Sequence, residues 1–189
     1  MTDLIPTTAF GTTTARTATH GALSMAEDVT TALASVALRR GADVPVPLGL
    51  PLPGPGGWAG ADGAMAVCMG PDQWLILGAD GAGGDFAADI AAAAPDCSVT
   101  EQTDGWVILD IRSKDDADGA PMAELLTRLV NLDPATLAPG RATRSQTGHL
   151  GIIALRLAPD RLLLLGLRSA AESLWQHLDG TLRRLAVPR

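Results

Sequence analysis

The chain has 189 residues, 47% hydrophobic and 19% charged, with a formal net charge of -7. That balance excludes an intrinsically disordered chain, which stays unfolded through low hydrophobicity and high charge. It also disfavours a nucleic-acid surface, where neutralised phosphates supply most of the affinity. Reactive side chains are few: four Trp, two Phe and no Tyr, with Lys114 the one lysine, in the polar run Ser113-Lys114-Asp115-Asp116. There is no Gly-Lys-Ser/Thr phosphate loop and no phenolic acid.

From the N-terminus, residues 1–22 are rich in Thr and lack the apolar core of a signal peptide. They are expected to form a loose tail ahead of one domain over 23–189. No run is apolar enough to span a bilayer, so the expectation is a soluble, cytoplasmic protein with no membrane partner. Over Thr31 to Arg39, Ala32, Ala34, Val36 and Leu38 alternate, whereas Val29, Leu33, Val36 and Arg40 form a helical series. Analogy with the second half favours a strand. Pro45, Pro47, Pro51, Pro53 and Pro55 follow, so any helix there is short. The stretch Gly54 to Gly63 lacks a strand-Gly-x-Gly-x-x-Gly-helix order and reads as a flexible linker.

Ala66–Gly78 consists of two apolar runs split by Pro71-Asp72, a hairpin signal. Phe86, Ile90 and Ala94 make the stripe of a helix closed by Pro95. Gly105–Arg112 reads as a strand. Met122, Leu125, Leu126 and Leu129 share a helix face, and Asn131 can end that helix in a left-handed turn. Ala154–Gly166 is a second hairpin, split by Pro159-Asp160. Leu174, Leu178 and Leu182 stripe a last helix, with a capping box in Ser169-Ala170-Ala171-Glu172.

These elements repeat. Ala66–Gly78 lines up with Ala154–Gly166, with Ala, Pro, Asp, Leu, Leu and Gly identical, and Phe86, Ile90 and Ala94 then fall opposite Leu174, Leu178 and Leu182. Upstream, Leu52-Pro53-Gly54 echoes Ala138-Pro139-Gly140. The fold class expected is α+β: two internally duplicated strand-helix-strand-hairpin-helix units with pseudo-twofold symmetry. The halves, about 23–101 and 102–189, would share one aliphatic core.

The second half resembles a known fold family. Leu125–Pro134, followed by Leu137-Ala138-Pro139-Gly140-Arg141-Ala142, resembles the opening of the folate-binding fold of the glycine-cleavage aminomethyltransferases. Three further segments are similar to the gamma subunit of heterotetrameric sarcosine oxidase: Ser35–Gly41, Gly49–Gly56 and Gly70–Leu75. The resemblance covers about 30–183, and the length agrees. It implies membership in a complex that oxidatively demethylates sarcosine in sarcosine catabolism. FAD, FMN, NAD and tetrahydrofolate would sit on the large alpha and beta partner subunits, with a small delta subunit besides. This chain would then be a structural subunit of an oxidoreductase, with no cofactor or catalytic residue of its own.

Aminomethyltransferases carry an acidic pair in a Gly-Ile-x-Asp-Asp-Leu-Ile pattern after the Pro-Gly-Arg segment. The matching stretch here is Gly148-His149-Leu150-Gly151-Ile152-Ile153-Ala154-Leu155, without a carboxylate. His149 has no orienting acid in sequence view, and His20 and His177 are spaced with no other ligand. Cys68 and Cys97 lack zinc-site spacing and read as small buried hydrophobes. The alternative function is an independent folate-binding or folate-dependent one-carbon transferase of the same fold. Arg141, Arg144, Arg156 and Arg161 read either as a patch for an acidic partner subunit or a folate glutamate tail, or as a charge-defended sheet edge. Trp58, on a Pro/Gly-rich segment, reads either as an interface anchor or as buried against its own chain.

Overall fold

A computed structural model describes residues 5–114, 120–129 and 137–187. In chain order the elements are β1 (Thr17–His20), β2 (Leu23–Asp28), β3 (Ala32–Leu38), β4 (Trp58–Ala61), β5 (Ala64–Gly70), β6 (Gln73–Gly78), α1 (Phe86–Ala93), β7 (Cys97–Glu101), β8 (Trp106–Ser113), α2 (Ala120–Leu129), β9 (Ala142–Thr147), β10 (Leu150–Ala158), β11 (Arg161–Leu167) and α3 (Ala171–Leu185). The chain is mixed α/β with two antiparallel sheets and few helices. Contacts divide it into two compact units, one over 30–103 and 140–143, the other holding the rest.

The 30–103 unit carries the sheet β4-β5-β6-β3-β7. Alternation in β3 buries Ala32, Ala34 and Val36 with Trp74 and Ile76 of β6, and Phe86 and Ile90 of α1 complete this core. Helix α1 begins where Asp85 accepts a hydrogen bond from the Ala88 amide, and Ala94 caps it just before Pro95. In place of the short helix allowed by the prolines, Pro47–Gly49 makes a single 3-10 turn.

The other unit carries β1-β2-β8-β11-β10-β9. Val107, Leu109 and Ile111 of β8 pack with Leu162 and Leu164 of β11 against Met122, Leu125 and Leu126 of α2 and Leu174, Leu178 and Leu182 of α3. The opposite face is buried too, at Ile108, Ile153, Leu155, Leu163 and Leu165. Burial on both faces explains the unbroken leucine run of β11, since a half-exposed strand would alternate.

Hairpins β5–β6 and β10–β11 share a register. Ala64 faces Gly78 as Ile152 faces Gly166, and Cys68 faces Trp74 as Arg156 faces Leu162. Each hairpin is then irregular, between Cys68 and Gly70 and between Arg156 and Ala158. The neighbouring strands follow suit: β3 meets β6 from Ala32↔Gly78 to Ala37↔Gln73, and β8 meets β11 from Val107↔Gly166 to Arg112↔Arg161. Beyond them β7 joins β3, pairing Ala34 with Glu101, and β2 joins β8, pairing Leu109 with Glu27.

The structure corrects several expectations. The described part of the expected tail is ordered: β1 pairs with β2, and Phe10 meets the Trp175 ring edge to face at 5.4 Å. Arg16 stacks on Phe10 at 4.0 Å, and the buried Glu27 carboxylate accepts from the amides of Ala9 (2.8 Å) and Arg16 (3.2 Å). Each unit holds one hydrophobic cluster. The expected halves also mix, because Leu23–Asp28 belongs to the sheet of the second half. The expected Gly54–Gly63 linker contains β4. The capping box is absent: α3 starts at Ala171 with no side-chain cap, because the Glu172 carboxylate is engaged by Arg16 (2.8 Å) and Gln176 (3.1 Å). Asn131 lies outside the described residues.

Candidate functional site

The stretch Gly148–Leu155 enters β10 through a tight turn in which Gly148 takes a left-handed φ of 59°. Ile152, Ile153, Ala154 and Leu155 are buried, and His149 stands exposed on the turn. General acid–base work needs a titratable group held within hydrogen-bond reach of the reacting atom. Where the resemblance places carboxylates, this strand presents packed aliphatic side chains.

Beside that strand lies a groove of about 410 Å³ lined by Trp106, Arg144, Ser145, Gln146, Gly151, Ile152, Ile153 and Leu167. Register brings these residues together: Trp106 at the start of β8 pairs with Leu167 at the end of β11, and Ile152 pairs with the adjacent Gly166. Ile152 belongs to the helix-side core, so Ile153, next in the strand, points to the opposite face. Leu167 is 54% exposed. The groove has an apolar floor, with Arg144, Ser145 and Gln146 supplying polar groups from the outermost strand β9. It can bind and orient a molecule, but its lining holds no carboxylate, thiol or imidazole to move a proton.

The candidate arginines differ in their partners. Arg156 is 5% exposed; its Nε donates to Ala158 O at 2.8 Å and its Nη2 to Pro159 O, so it secures its own hairpin turn. Burial lowers its pKa, and Asp160 acts in the opposite direction. This overturns the reading of Arg156 as a solvent-facing contact. Arg161 lies on an inner strand and grips both oxygens of Asp110, at 3.2 and 3.0 Å. Arg112 binds the same carboxylate at 2.8 Å, and that hydrogen bond raises the Arg112 pKa against the effect of burial. Arg144 fits the charge-defended edge, because β9 is outermost in its sheet. Arg141 bridges to Gly57 in the 30–103 unit.

Trp58 is half-buried on β4 opposite Val67, and a methyl on Gly60 would come within 3.2 Å of its ring. Part of the indole therefore lies over its own strand. His20, unremarkable in the sequence, meets Asp179 Oδ1 at 2.7 Å, and Arg183 binds the other oxygen at 2.8 Å. Cys68 and Cys97 are free thiols, with Cys97 buried and Cys68 half-buried. Burial raises the Cys97 pKa, Asp96 adds to the effect and Arg39 opposes it. Among the described residues no three His, Cys, Asp or Glu side chains gather as a metal site, and no helix is long and apolar enough to cross a membrane. The sequence reading missed Asp110, Trp106 and Leu167. Asp110 carried a signal, since a carboxylate inside an apolar strand calls for a partner.

The architecture matches solved structures. A chain of heterotetrameric sarcosine oxidase from Corynebacterium sp. U-96, solved with pyrrole 2-carboxylate, superposes with a TM-score of 0.75. The match covers 91% of this chain and 89% of that one, at 17% identity. The glycine-cleavage aminomethyltransferase T from Bartonella henselae superposes with a TM-score of 0.58 and 14% identity over 87% of this chain. The likeness is one of fold. This chain spans 47% of the transferase, about half its length. No protein-family model and no curated protein sequence matches it.

Proposed function

We propose that this chain is the gamma-type subunit of a sarcosine oxidase-like heterotetramer, contributing surface and geometry rather than a reacting group. The observation carrying the reading is the two-way coverage: this chain and the oxidase chain account for nearly all of each other, whereas it spans only about half of the transferase. FAD, FMN, NAD and tetrahydrofolate would then reside on the large alpha and beta partners, with a delta subunit completing the complex. The aliphatic stretch Ile152–Leu155 supports a fold kept without the transferase's acid chemistry.

The same reading includes an internal duplication with pseudo-twofold symmetry, supported by the register shared by β3, β5 and β6 with β8, β10 and β11.

The test is co-expression with the candidate large subunits. Copurification in fixed stoichiometry with a flavin-containing chain is the expected result, and its failure rejects the reading. Titration of the isolated chain with tetrahydrofolate separates the alternative, a folate-binding or one-carbon transferase protein, which would bind in the micromolar range.

A further inference from the structure

From Val44 to Ala61 the chain carries no Asp, Glu, Lys or Arg, in a protein whose residues are 19% charged. Connections run over the surface, where polar side chains are the rule. Here Val44, Val46 and Leu48 are 52%, 60% and 51% exposed. The other large apolar residues exposed among the described ones, Ile5, Val29, Leu167 and Val187, occur singly along the chain, as on any protein surface.

The intervening residues fix this segment in place. Pro47 and Leu50 are buried, and Leu50 packs in the core that holds Phe86 and Ile90. The amides of Gly49 and Leu50 donate to Val46 O (3.2 Å) and Pro47 O (2.9 Å). Downstream, Trp74 Nε1 pins Pro53 O at 2.8 Å. Leu48 sits at φ 52° and ψ 30°, a left-handed conformation that a leucine adopts only at a cost. Backbone strain and an apolar side chain left in water both oppose this arrangement in the isolated chain.

The chemistry of the segment selects what would cover it. Leu48 and Gly49, at φ 52° and 75°, turn the backbone out of the extended conformation, so a partner cannot read the segment as an added β-strand. Recognition falls to the side chains that this bent, proline-stiffened backbone presents. The absence of charge matches an uncharged protein surface and gives an anionic membrane nothing to attract. We propose that the arch Val44–Leu48 is a docking element that seats Val46 and Leu48 in an uncharged, apolar groove of a partner polypeptide. Its preformed shape reduces the ordering cost of association. The inference rests on the subunit reading above and assigns this arch to contact with a large subunit.

The experiment measures binding of the purified full chain to the co-expressed large subunits by biolayer interferometry. Leu48→Asn suits the left-handed backbone while removing the apolar tip, and Val46→Ser removes the neighbouring contact. The expected result is a loss of about 30-fold or more in affinity for the double variant, with an unchanged or higher melting temperature. Val29→Ser, an exposed apolar site outside the arch, should bind like the parent chain. Parent-like binding by the double variant overturns the docking element and leaves the subunit reading intact. Failure of the parent chain to bind overturns both. The docking proposal is also overturned if the arch substitutions instead abolish sedimentation with neutral or anionic vesicles, or abolish self-association of the chain.

Discussion

Gly166 lies directly against Leu174: a methyl placed on its Cα would come within 2.5 Å of Leu174 Cδ2. In the 30–103 unit Gly78 stands the same way to Phe86, where a methyl would come within 2.7 Å of the ring Cζ. Gly78 ends β6 and Gly166 is the next-to-last residue of β11, and each partner opens the apolar stripe of the helix that follows. The missing Cβ is what lets that helix settle on the sheet.

Gly78→Ala and Gly166→Ala should therefore both destabilise the chain, by about 1–3 kcal/mol through overpacking. The Gly78 substitution should cost more, because a ring cannot yield as the end of a leucine can. Urea unfolding checks this, and Phe86→Leu should recover part of the Gly78→Ala loss in a double-mutant cycle. Equal stability of Gly78→Ala and the parent chain would refute the close approach.

Glu101 provides a pH test. Burial pushes its carboxyl upward, but hydrogen bonds from the Thr103 hydroxyl and the amides of Thr103, Gln102 and Ala87 outweigh that effect and lower its pKa below the usual 4.5. A carboxyl with a depressed folded-state pKa contributes stability above its unfolded pKa and loses it as pH falls through the folded one. Glu101→Gln should lower stability at pH 7 and flatten the fall in melting temperature below about pH 4.5. Solvent screening at this exposed residue keeps the effect under about 1 kcal/mol. Identical acid limbs for the two proteins would reject it.

The elements legible in the sequence were those whose packing follows one period. The Pro-Asp hairpins and the stripes Phe86-Ile90-Ala94 and Leu174-Leu178-Leu182 needed no tertiary information, because turn chemistry and helical spacing determine them locally. Strands β2 and β7 escaped because their places depend on distant pairing, Leu109 with Glu27 and Ala34 with Glu101. Glu27 also conceals burial behind a charged residue type, since its acceptors are filled by two backbone amides from the N-terminal segment. The partners of two candidate arginines were hidden for the same reason. Arg156 and Arg161 read as surface charge until Pro159 O, Ala158 O and Asp110 are seen to take their donors.

The two thiols should differ in reactivity. The buried Cys97 thiol is held protonated, first by burial and then by Asp96, and the thiolate is the reactive form. At pH 8, Cys68 should react with a chromogenic disulfide well before Cys97, which should become accessible only on unfolding. Peptide mapping of the labelled native chain decides it, and early modification of Cys97 would contradict its burial.

Arg161 separates an internal role from an interface role. Its fork closes on Asp110 at 3.2 and 3.0 Å, and the carboxylate is 15% exposed at the side chain. Arg161→Ala and Asp110→Ala should each lower stability, with a coupling energy of about 1 kcal/mol because the pair is partly desolvated. Arg112 on the same carboxylate keeps Arg161→Ala from stranding a lone charge, so Asp110→Ala, which leaves two adjacent guanidiniums, should be the more damaging single change. Chemical denaturation of the four members of the cycle measures this. A null coupling together with weakened binding of Arg161→Ala to the large subunits would instead return Arg161 to the partner surface.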